Sequence, residues 1–182
     1  MQPVCSISHS TIRFRSEIIF QAEQELFSEF SKSVYRHFDF DYPKFYKMDN
    51  LSKLAFIGAE LLLPEYLGTS EEKNIALVFG NKSSSLDTDL KHQSSISDDH
   101  YFPSPAVFVY TLPNICLGEI SIRHGLRSEN CFFVLEEMNE SFLLEYAQIL
   151  LNTGKADGVL CGWVEYLLGE YEAHFWLLKG HT

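Results

Sequence analysis

Hydrophobic and polar positions follow two different periods in the first third of the chain. From Cys5 to Phe14, apolar residues alternate with Ser, Thr, Arg and His, which is the period of a half-buried strand. From Glu17 to Phe38, apolar residues recur every three to four positions and predict an amphipathic helix. A second helical run begins at Asp49 or Asn50, both good capping residue types, and Pro64 is expected to stop it.

The later part of the chain alternates between two kinds of apolar segment. Helices are predicted between Pro113 and Gly125 and from Phe142 to Leu151, the latter closed by Gly154, and Tyr171–Lys179 reads as a strand of mixed pattern. Three short segments are apolar without alternation, as expected of strands covered on both faces: Asn74–Gly80, Cys131–Leu135 and Gly158–Val164. Strands that alternate with helices predict a layered α/β fold with a largely parallel sheet.

The length and composition of the chain predict a single domain over residues 1–182. Its 182 residues are 46% hydrophobic and 14% aromatic, which is enough for one packed core. Residues 81–105 are polar and lack periodicity, so they are expected to form a long loop. No span approaches the ~18 apolar residues of a membrane helix. The N-terminus also lacks the pattern of a signal peptide, and we therefore expect a cytoplasmic protein.

Charge and cysteine usage exclude several classes of function. The formal net charge is −11, and no run of Lys or Arg offsets it, so nucleic acid is a poor candidate partner. The four cysteines are scattered without C-x-x-C spacing and are expected to be reduced, buried thiols. No Cys/His pair has ligand spacing, so the sequence predicts neither a metal site nor a bound cofactor.

Several spaced residues between Gly125 and Glu165 agree in one frame with a known family. Gly125-Leu126 precedes one predicted strand and Gly154-Lys155-Ala156-Asp157 precedes the next, which contains Gly162 and is followed directly by Glu165. In this frame the chain resembles the N-terminal domain of β-ketoacyl synthases (3-oxoacyl-ACP synthases), in a short bacterial form. The resemblance covers roughly residues 49–165. It implies a thiolase-like half, which is a layered α/β unit with a mostly parallel mixed sheet.

The resemblance breaks at the catalytic position. Counted along the same frame, Glu137 stands where the family has its nucleophilic Cys, at a strand-to-helix turn. A Cys at a helix N-terminus is a strong nucleophile because the helix dipole stabilises its thiolate, whereas a carboxylate is a poor acyl acceptor. The family's two catalytic His come from its C-terminal half, and no His of this chain matches them. The resemblance therefore implies no catalytic residue here.

Other residues near this turn have ordinary structural interpretations. Adjacent Glu136 and Glu137 could suggest acid–base chemistry or a metal site, but neighbours at such a turn point apart, and acidic residues suit a helix N-terminus. Cys131 precedes Glu137 on the strand and is expected to pack in the core. The remaining candidate bases are expected to be solvated or to cap helices: His92, His100 and His124.

Taken with the missing nucleophile, the resemblance implies a binding role. Paired ketosynthases include a chain-length factor that lacks the nucleophile and dimerises with an active synthase. We expect a non-catalytic subunit of that kind, which pairs with a full-length ketosynthase or acyl carrier protein, as a homodimer or heterodimer. The implied setting is polyketide or fatty-acid-like biosynthesis of the aryl polyene or dialkylresorcinol type. The alternatives are an enzyme retaining 3-oxoacyl-ACP synthase or malonyl-ACP decarboxylase activity with help from a partner chain, or a structural domain that has left the pathway.

One segment is a candidate interface. An apolar strand at an uncovered sheet edge is an aggregation hazard, and in the family the strand before the nucleophile pairs across a dimer axis. The helix Phe142–Leu151 should lie close to the same contact. We therefore predict a dimer interface formed by Cys131, Phe132, Phe133, Val134 and Leu135.

Overall fold

The alternating N-terminal segment forms two strands rather than the single strand that its pattern predicts. The computed structural model describes residues 4–23, 26–67, 74–96 and 103–180. Strands β1 (Cys5–Ser8) and β2 (Thr11–Phe14) pair antiparallel around His9 and Ser10. Both turn residues have left-handed φ angles of 46° and 55°, as a two-residue hairpin requires. Apolar and polar residues continue to alternate through the turn, so the pattern alone does not show where the turn lies.

The predicted helix over Glu17–Phe38 is wrong in its first part. Residues Glu17–Gln21 form β3, which pairs with β2, and the helix α1 spans Phe27–His37. Within β3, Phe20 contacts the rings of Phe30 and His37 on α1. Short apolar runs fit either period, and here pairing with a neighbouring strand overrides the helical spacing.

Helix α2 (Asn50–Leu67) continues past the proline that was expected to end it. After a short 3-10 helix over Pro43–Lys47, the carboxylate of Asp49 accepts a hydrogen bond from the backbone N–H of Ser52 at 2.9 Å and caps α2. Pro64 lies inside the helix on its exposed side. Packing of buried Leu63 against the core offsets the single backbone hydrogen bond that proline removes.

Seven strands form one mixed sheet. The remaining strands are β4 (Ile75–Asn81), β5 (Asn130–Val134), β6 (Gly158–Leu167) and β7 (Glu170–Lys179), and the order is β3-β2-β1-β7-β6-β4-β5. Only the pairs β4–β6 and β4–β5 are parallel. The expectation of a mostly parallel sheet was wrong because hairpin turns join β1 to β2, β2 to β3 and β6 to β7, and such short connections force antiparallel pairing.

Helices cover both faces of the sheet, which confirms the layered α/β class. Helices α1, α2 and α5 (Ile115–His124) share one core with the sheet, and α6 (Glu140–Asn152) packs with the opposite face in a second core. Gly125 (φ 66°) ends α5 and Gly154 (φ 68°) follows α6, both in the left-handed conformation that favours glycine. The sequence placed both of these helix ends correctly.

The segment expected to be a loop, residues 81–105, contains ordered structure. Helix α3 spans Leu86–Ser94, and α4 begins at the end of the segment and spans Pro105–Val109. The expected position of His100 lies outside the described residues. Helix α3 forms because the hydroxyl of Thr88 donates to the carboxylate of Asp49 (2.8 Å) and anchors it to the start of α2. That contact is tertiary, so no local pattern announces the helix.

Close packing fixes α2 against the sheet and against α5. A Cβ on Gly58 would overlap the ring of Phe175 in β7, so α2 can lie directly on the sheet only with glycine there. Glu60 of α2 accepts from Arg123 (3.0 Å) and lies 2.8 Å from the Nε2 atom of His124. Burial alone would raise the pKa of Glu60, but these two partners lower it below its usual value. In the described residues, no helix is both long and apolar enough to cross a membrane.

Candidate functional site

The carboxyl ends of the parallel strands β4 and β6 meet at a network of backbone hydrogen bonds. In the loop after β4, one carboxylate oxygen of Glu165 accepts from the N–H groups of Lys82 (2.7 Å) and Ser83 (3.2 Å). The side chain of buried Asn81 bonds the backbone N–H and carbonyl of Ser84, each at 2.9 Å. Glu165, which the resemblance singled out, therefore holds the loop after β4 through one of its two carboxylate oxygens.

Glu136 and Glu137 lie in the turn between β5 and α6, where the sequence placed them. Both side chains are exposed, and in the part of the chain that the structure describes neither forms an ion pair or a side-chain hydrogen bond. The cap of α6 is Asn139, whose side-chain oxygen accepts from the N–H of Phe142 at 3.0 Å. The two carboxylates thus stand outside the capped turn and face solvent.

The described histidines lie on other elements. His124 ends α5 and contacts Glu60, while His92 on α3 packs 5.4 Å from the ring of Phe108. His174 lies in β7, 3.8 Å from Glu172. Across the described ranges, no group of three His, Cys, Asp or Glu side chains could hold a metal ion.

Three of the four cysteines are buried thiols, as predicted. Burial raises the pKa of Cys5 and of Cys161 to about 12. Burial, with a smaller effect of Asp49, raises the pKa of Cys116 well above its usual range. At neutral pH these sulfurs are protonated and poor nucleophiles.

Cys131 belongs to a polar cluster at the amino end of β5 and not to a purely apolar core. Its sulfur lies 3.4 Å from the hydroxyl of Tyr146, which donates to the carboxylate of Glu129 at 3.0 Å. Lys155 reaches the same carboxylate at 3.4 Å. The hydrogen bond from Tyr146 is the main reason that the pKa of Glu129 is lowered. Cys131 therefore sits one strand length away from Glu137, at the opposite end of β5.

Strand β5 is an edge strand and is only half-buried, in contrast to the fully covered strand that its sequence predicts. Among the described residues it pairs with β4 alone. Phe133 packs on its own chain, with its ring centroid 4.9 Å from that of Phe142 and 5.2 Å from that of Tyr146. Val134 is exposed. Its side chains pack on both faces of the sheet, Phe132 with the core that contains α1, α2 and α5, and Phe133 with the core that contains α6. The apolar composition therefore reflects cover by helices and not by a second neighbouring strand.

The hydrogen-bond pattern shows which peptide groups of β5 face the open edge. The N–H of Leu77 donates to the carbonyl of Glu129 (3.1 Å), and the N–H of Leu135 donates to the carbonyl of Asn81 (2.9 Å). Odd-numbered positions of β5 therefore bond to β4. Because successive residues of a strand direct their peptide groups to opposite sides, those of the even-numbered positions face outward: Asn130, Phe132 and Val134.

An exposed apolar surface lies beside the carboxyl end of the sheet. We call it the α3–α4 surface, and it comprises Leu86, Leu90, Phe108, Val109 and Leu112. The hydroxyl of Ser85 donates to the carbonyl of Thr111 at 2.7 Å and joins the start of α3 to the end of α4. The sequence analysis missed this surface because it assigned residues 81–105 to a loop. The available signals were Leu86 and Leu90, four positions apart, and the apolar run of α4.

Comparisons with known proteins identify the fold. No protein-family model and no curated protein matches the sequence. A chain of the complex between a ketosynthase and its chain length factor from Xenorhabdus doucetiae is similar, with a TM-score of 0.59 and 16% identity over 85% of this chain and 73% of that one.

Two further solved structures agree. The ishigamide ketosynthase/chain length factor has a TM-score of 0.69 and 18% identity over 98% of this chain and 62% of that one. A β-ketoacyl synthase from Burkholderia phymatum has a TM-score of 0.61 and 13% identity over 100% of this chain and 58% of that one. The chain thus spans about six tenths of these two structures, and it has the thiolase-like α/β fold of ketosynthases and chain length factors.

Proposed function

We propose that this protein is a non-catalytic, chain-length-factor-like subunit that pairs with an active β-ketoacyl synthase through β5 and the α3–α4 surface. The setting is polyketide or fatty-acid-like biosynthesis, of the aryl polyene or dialkylresorcinol type. The observation that carries the proposal is the apolar edge strand β5, which pairs with β4 alone among the described residues and leads into the turn that contains Glu137.

Chemistry at the turn argues against acyl transfer. Covalent condensation needs a nucleophile activated by an adjacent base or by a lowered pKa. Glu137 is an exposed carboxylate, Cys131 lies at the far end of β5, and the other three sulfurs are buried thiols. The described histidines belong to other elements, so none of them lies at the turn.

Hydrogen bonds in the loop after β4 connect the end of β5 with the α3–α4 surface. The N–H of Leu135, just after β5, bonds Asn81, whose side chain holds Ser84, and the neighbouring Ser85 bonds Thr111 on the α4 side. A chain of hydrogen bonds therefore joins the end of the edge strand to the α3–α4 surface. Contiguous exposed apolar patches of this kind are typical of protein–protein contacts, and an open edge adds directional backbone hydrogen bonds.

Two of the similar structures support the choice of partner. Both contain a ketosynthase with a chain length factor, and so the fold of this chain occurs in assemblies of that kind. The interface residues of the proposal are Cys131, Phe132, Phe133, Val134 and Leu135. Within this set, the backbone of Phe132 and Val134 makes the pairing contacts, and Phe133 holds the strand in place from inside.

Co-purification with candidate synthases, followed by assay of the synthase with and without this chain, tests the proposal. We expect a stable complex and a change in synthase activity or product length. In parallel, the purified chain is incubated with acyl carrier protein thioesters, and its intact mass is measured. No covalent adduct is expected. A stoichiometric acyl adduct, or ketoacyl product from the chain alone, would favour the alternative of a retained synthase or decarboxylase activity. A chain that binds none of the synthases contradicts the pairing.

A further inference from the structure

A concave surface lies at the amino-terminal ends of the parallel strands, at the other end of the sheet from Glu137. Phe14 and Arg15 at the end of β2, Leu62 and Tyr66 on α2, and Leu177 and Lys179 on β7 line a groove of about 220 Å³. Its described lining combines aliphatic and aromatic side chains with two charged ones. We call it the β2–α2–β7 groove.

The walls of this groove are held by backbone contacts. The hydroxyl of Tyr66 donates to the carbonyl of Asp157 at 3.2 Å, and a Cβ on Gly158 would overlap the tyrosine ring. Tyr66 can therefore lie across the start of β6 only because residue 158 is a glycine. On the other side, the N–H of Arg15 donates to the carbonyl of Val4 at 2.8 Å and ties the β2–β3 turn to the residue that precedes β1.

Charge distinguishes the groove from the rest of the molecule. The chain carries a net charge of −11, yet the two charged residues in the described part of the groove lining are cations. Each is placed near one aromatic wall, with the Nζ atom of Lys179 at 4.9 Å from the ring centroid of Tyr66 and the Cζ atom of Arg15 at 5.2 Å from that of Phe14. Cations over ring faces are held there by the ring quadrupole.

We propose that the β2–α2–β7 groove binds an amphipathic anion, that is, a carboxylate or phosphate carried on a short hydrocarbon chain. The hydrocarbon lies on Leu62, Leu177 and the aromatic walls, and the anionic head lies between Arg15 and Lys179. Small-molecule sites commonly combine an apolar lining with a few charged groups that orient the ligand. This inference is independent of the pairing proposed above.

The test is a titration of the whole chain with octanoate, followed by calorimetry or by amide NMR shifts. We expect saturable binding with a millimolar Kd, as a ligand of this size in an open groove allows. Octyl phosphate in a second titration identifies the preferred head group. Octylammonium carries the same tail with the opposite charge and should bind much more weakly. Absence of saturable octanoate binding, or equal binding of the cation, overturns the proposal.

Single charge removals locate the site. Because Arg15 and Lys179 are exposed, Arg15→Gln and Lys179→Gln should each weaken octanoate binding by about two- to fivefold. Lys32→Gln removes an exposed cation on α1, outside the groove, and should leave Kd unchanged. Asp157→Asn should tighten binding, because it removes a negative charge close to the anion. Burial raises the pKa of Tyr66, and the nearby carboxylate of Asp157 adds to that rise, which places this charge beside the groove. Octanoate binding that is insensitive to Lys179→Gln and Asp157→Asn places the ligand elsewhere.

Discussion

The two edges of the sheet differ in how they meet solvent. At one end, β3 pairs with β2 through a register shift between Ile12 and Arg13, begins at Glu17 and ends at Gln21. At the other end, β5 pairs with β4 in continuous register. Bulges and flanking polar residues are the usual means by which proteins protect an edge strand from pairing with another chain.

The contrast extends to the surroundings of each edge. Each edge strand has a phenylalanine that packs against a helix. Phe20 of β3 packs on α1, and Phe133 of β5 packs on α6. Strand β5 leads, through Asn81 and Ser85, to the exposed apolar side chains of the α3–α4 surface. Anchoring is therefore common to both edges, and what distinguishes β5 is that it is left open beside an apolar surface. Being apolar and being open to pairing are therefore separate properties of an edge strand.

The largest effect is expected from the anchors, and it should be the same at both edges. Phe133→Lys and Phe20→Lys should each lower the free energy of unfolding by about 2–4 kcal/mol, because each places a charge where an aromatic ring packs. Chemical denaturation measures both. An unchanged midpoint for Phe133→Lys would show that α6 does not hold β5.

The next effect should separate the edges. Val134 is 55% exposed and Ile18 on β3 is 48% exposed. The peptide groups of both residues face away from the neighbouring strand. For Ile18 this follows because Phe14 and Glu17, which flank the two-residue turn, form the hydrogen-bonded pair, so the next residue of β3 points its peptide groups to the other side. Proline at either site removes an outward N–H without breaking the sheet. Val134→Pro should weaken binding to the partner synthase by about 10- to 100-fold, and Ile18→Pro should not change it.

Sedimentation of the two proline variants with the synthase provides the measurement. Circular dichroism of each variant alone serves as the folding control. If Ile18→Pro weakens binding as much as Val134→Pro does, the open edge of β5 is not the contact.

A smaller effect is expected from the α3–α4 surface. Phe108→Ser and Leu112→Ser remove large exposed apolar side chains and should each weaken partner binding by about three- to tenfold, in the usual range for interface positions outside a hot spot. Ile18→Ser is the matched control at the β3 edge. Surface-immobilised binding assays distinguish these values. Full affinity in both variants would restrict the interface to β5.

The smallest effect is expected at Glu137. Glu137→Cys should create a thiol that alkylating reagents modify, but it should yield no ketoacyl product, because none of the described histidines lies at the turn to activate it. Partner binding should change by less than about twofold, since the side chain is exposed. Glu136→Cys is the matched control for accessibility. Condensation by the isolated Glu137→Cys protein would show that the chain contains catalytic groups other than those at this turn.

Local patterns in the sequence determined those elements whose boundaries depend on near neighbours. Buried strands β4 and β6 followed from continuous apolar runs, and the ends of α5 and α6 followed from Gly125 and Gly154, where only glycine adopts φ > 0 at little cost. The spaced residues from Gly125 to Glu165 also led to the correct fold resemblance. These features require no knowledge of what packs against them.

Tertiary structure decided the features that depend on distant partners. Residues Glu17–Gln21 became a strand because β2 offers pairing partners, and α3 forms where Thr88 reaches Asp49. The apolar run of β5 predicted a buried strand, yet its position at the edge follows from the order in which the strands assemble. A sequence records how hydrophobic a segment is, but which side of it a neighbour occupies depends on contacts between residues far apart in the chain.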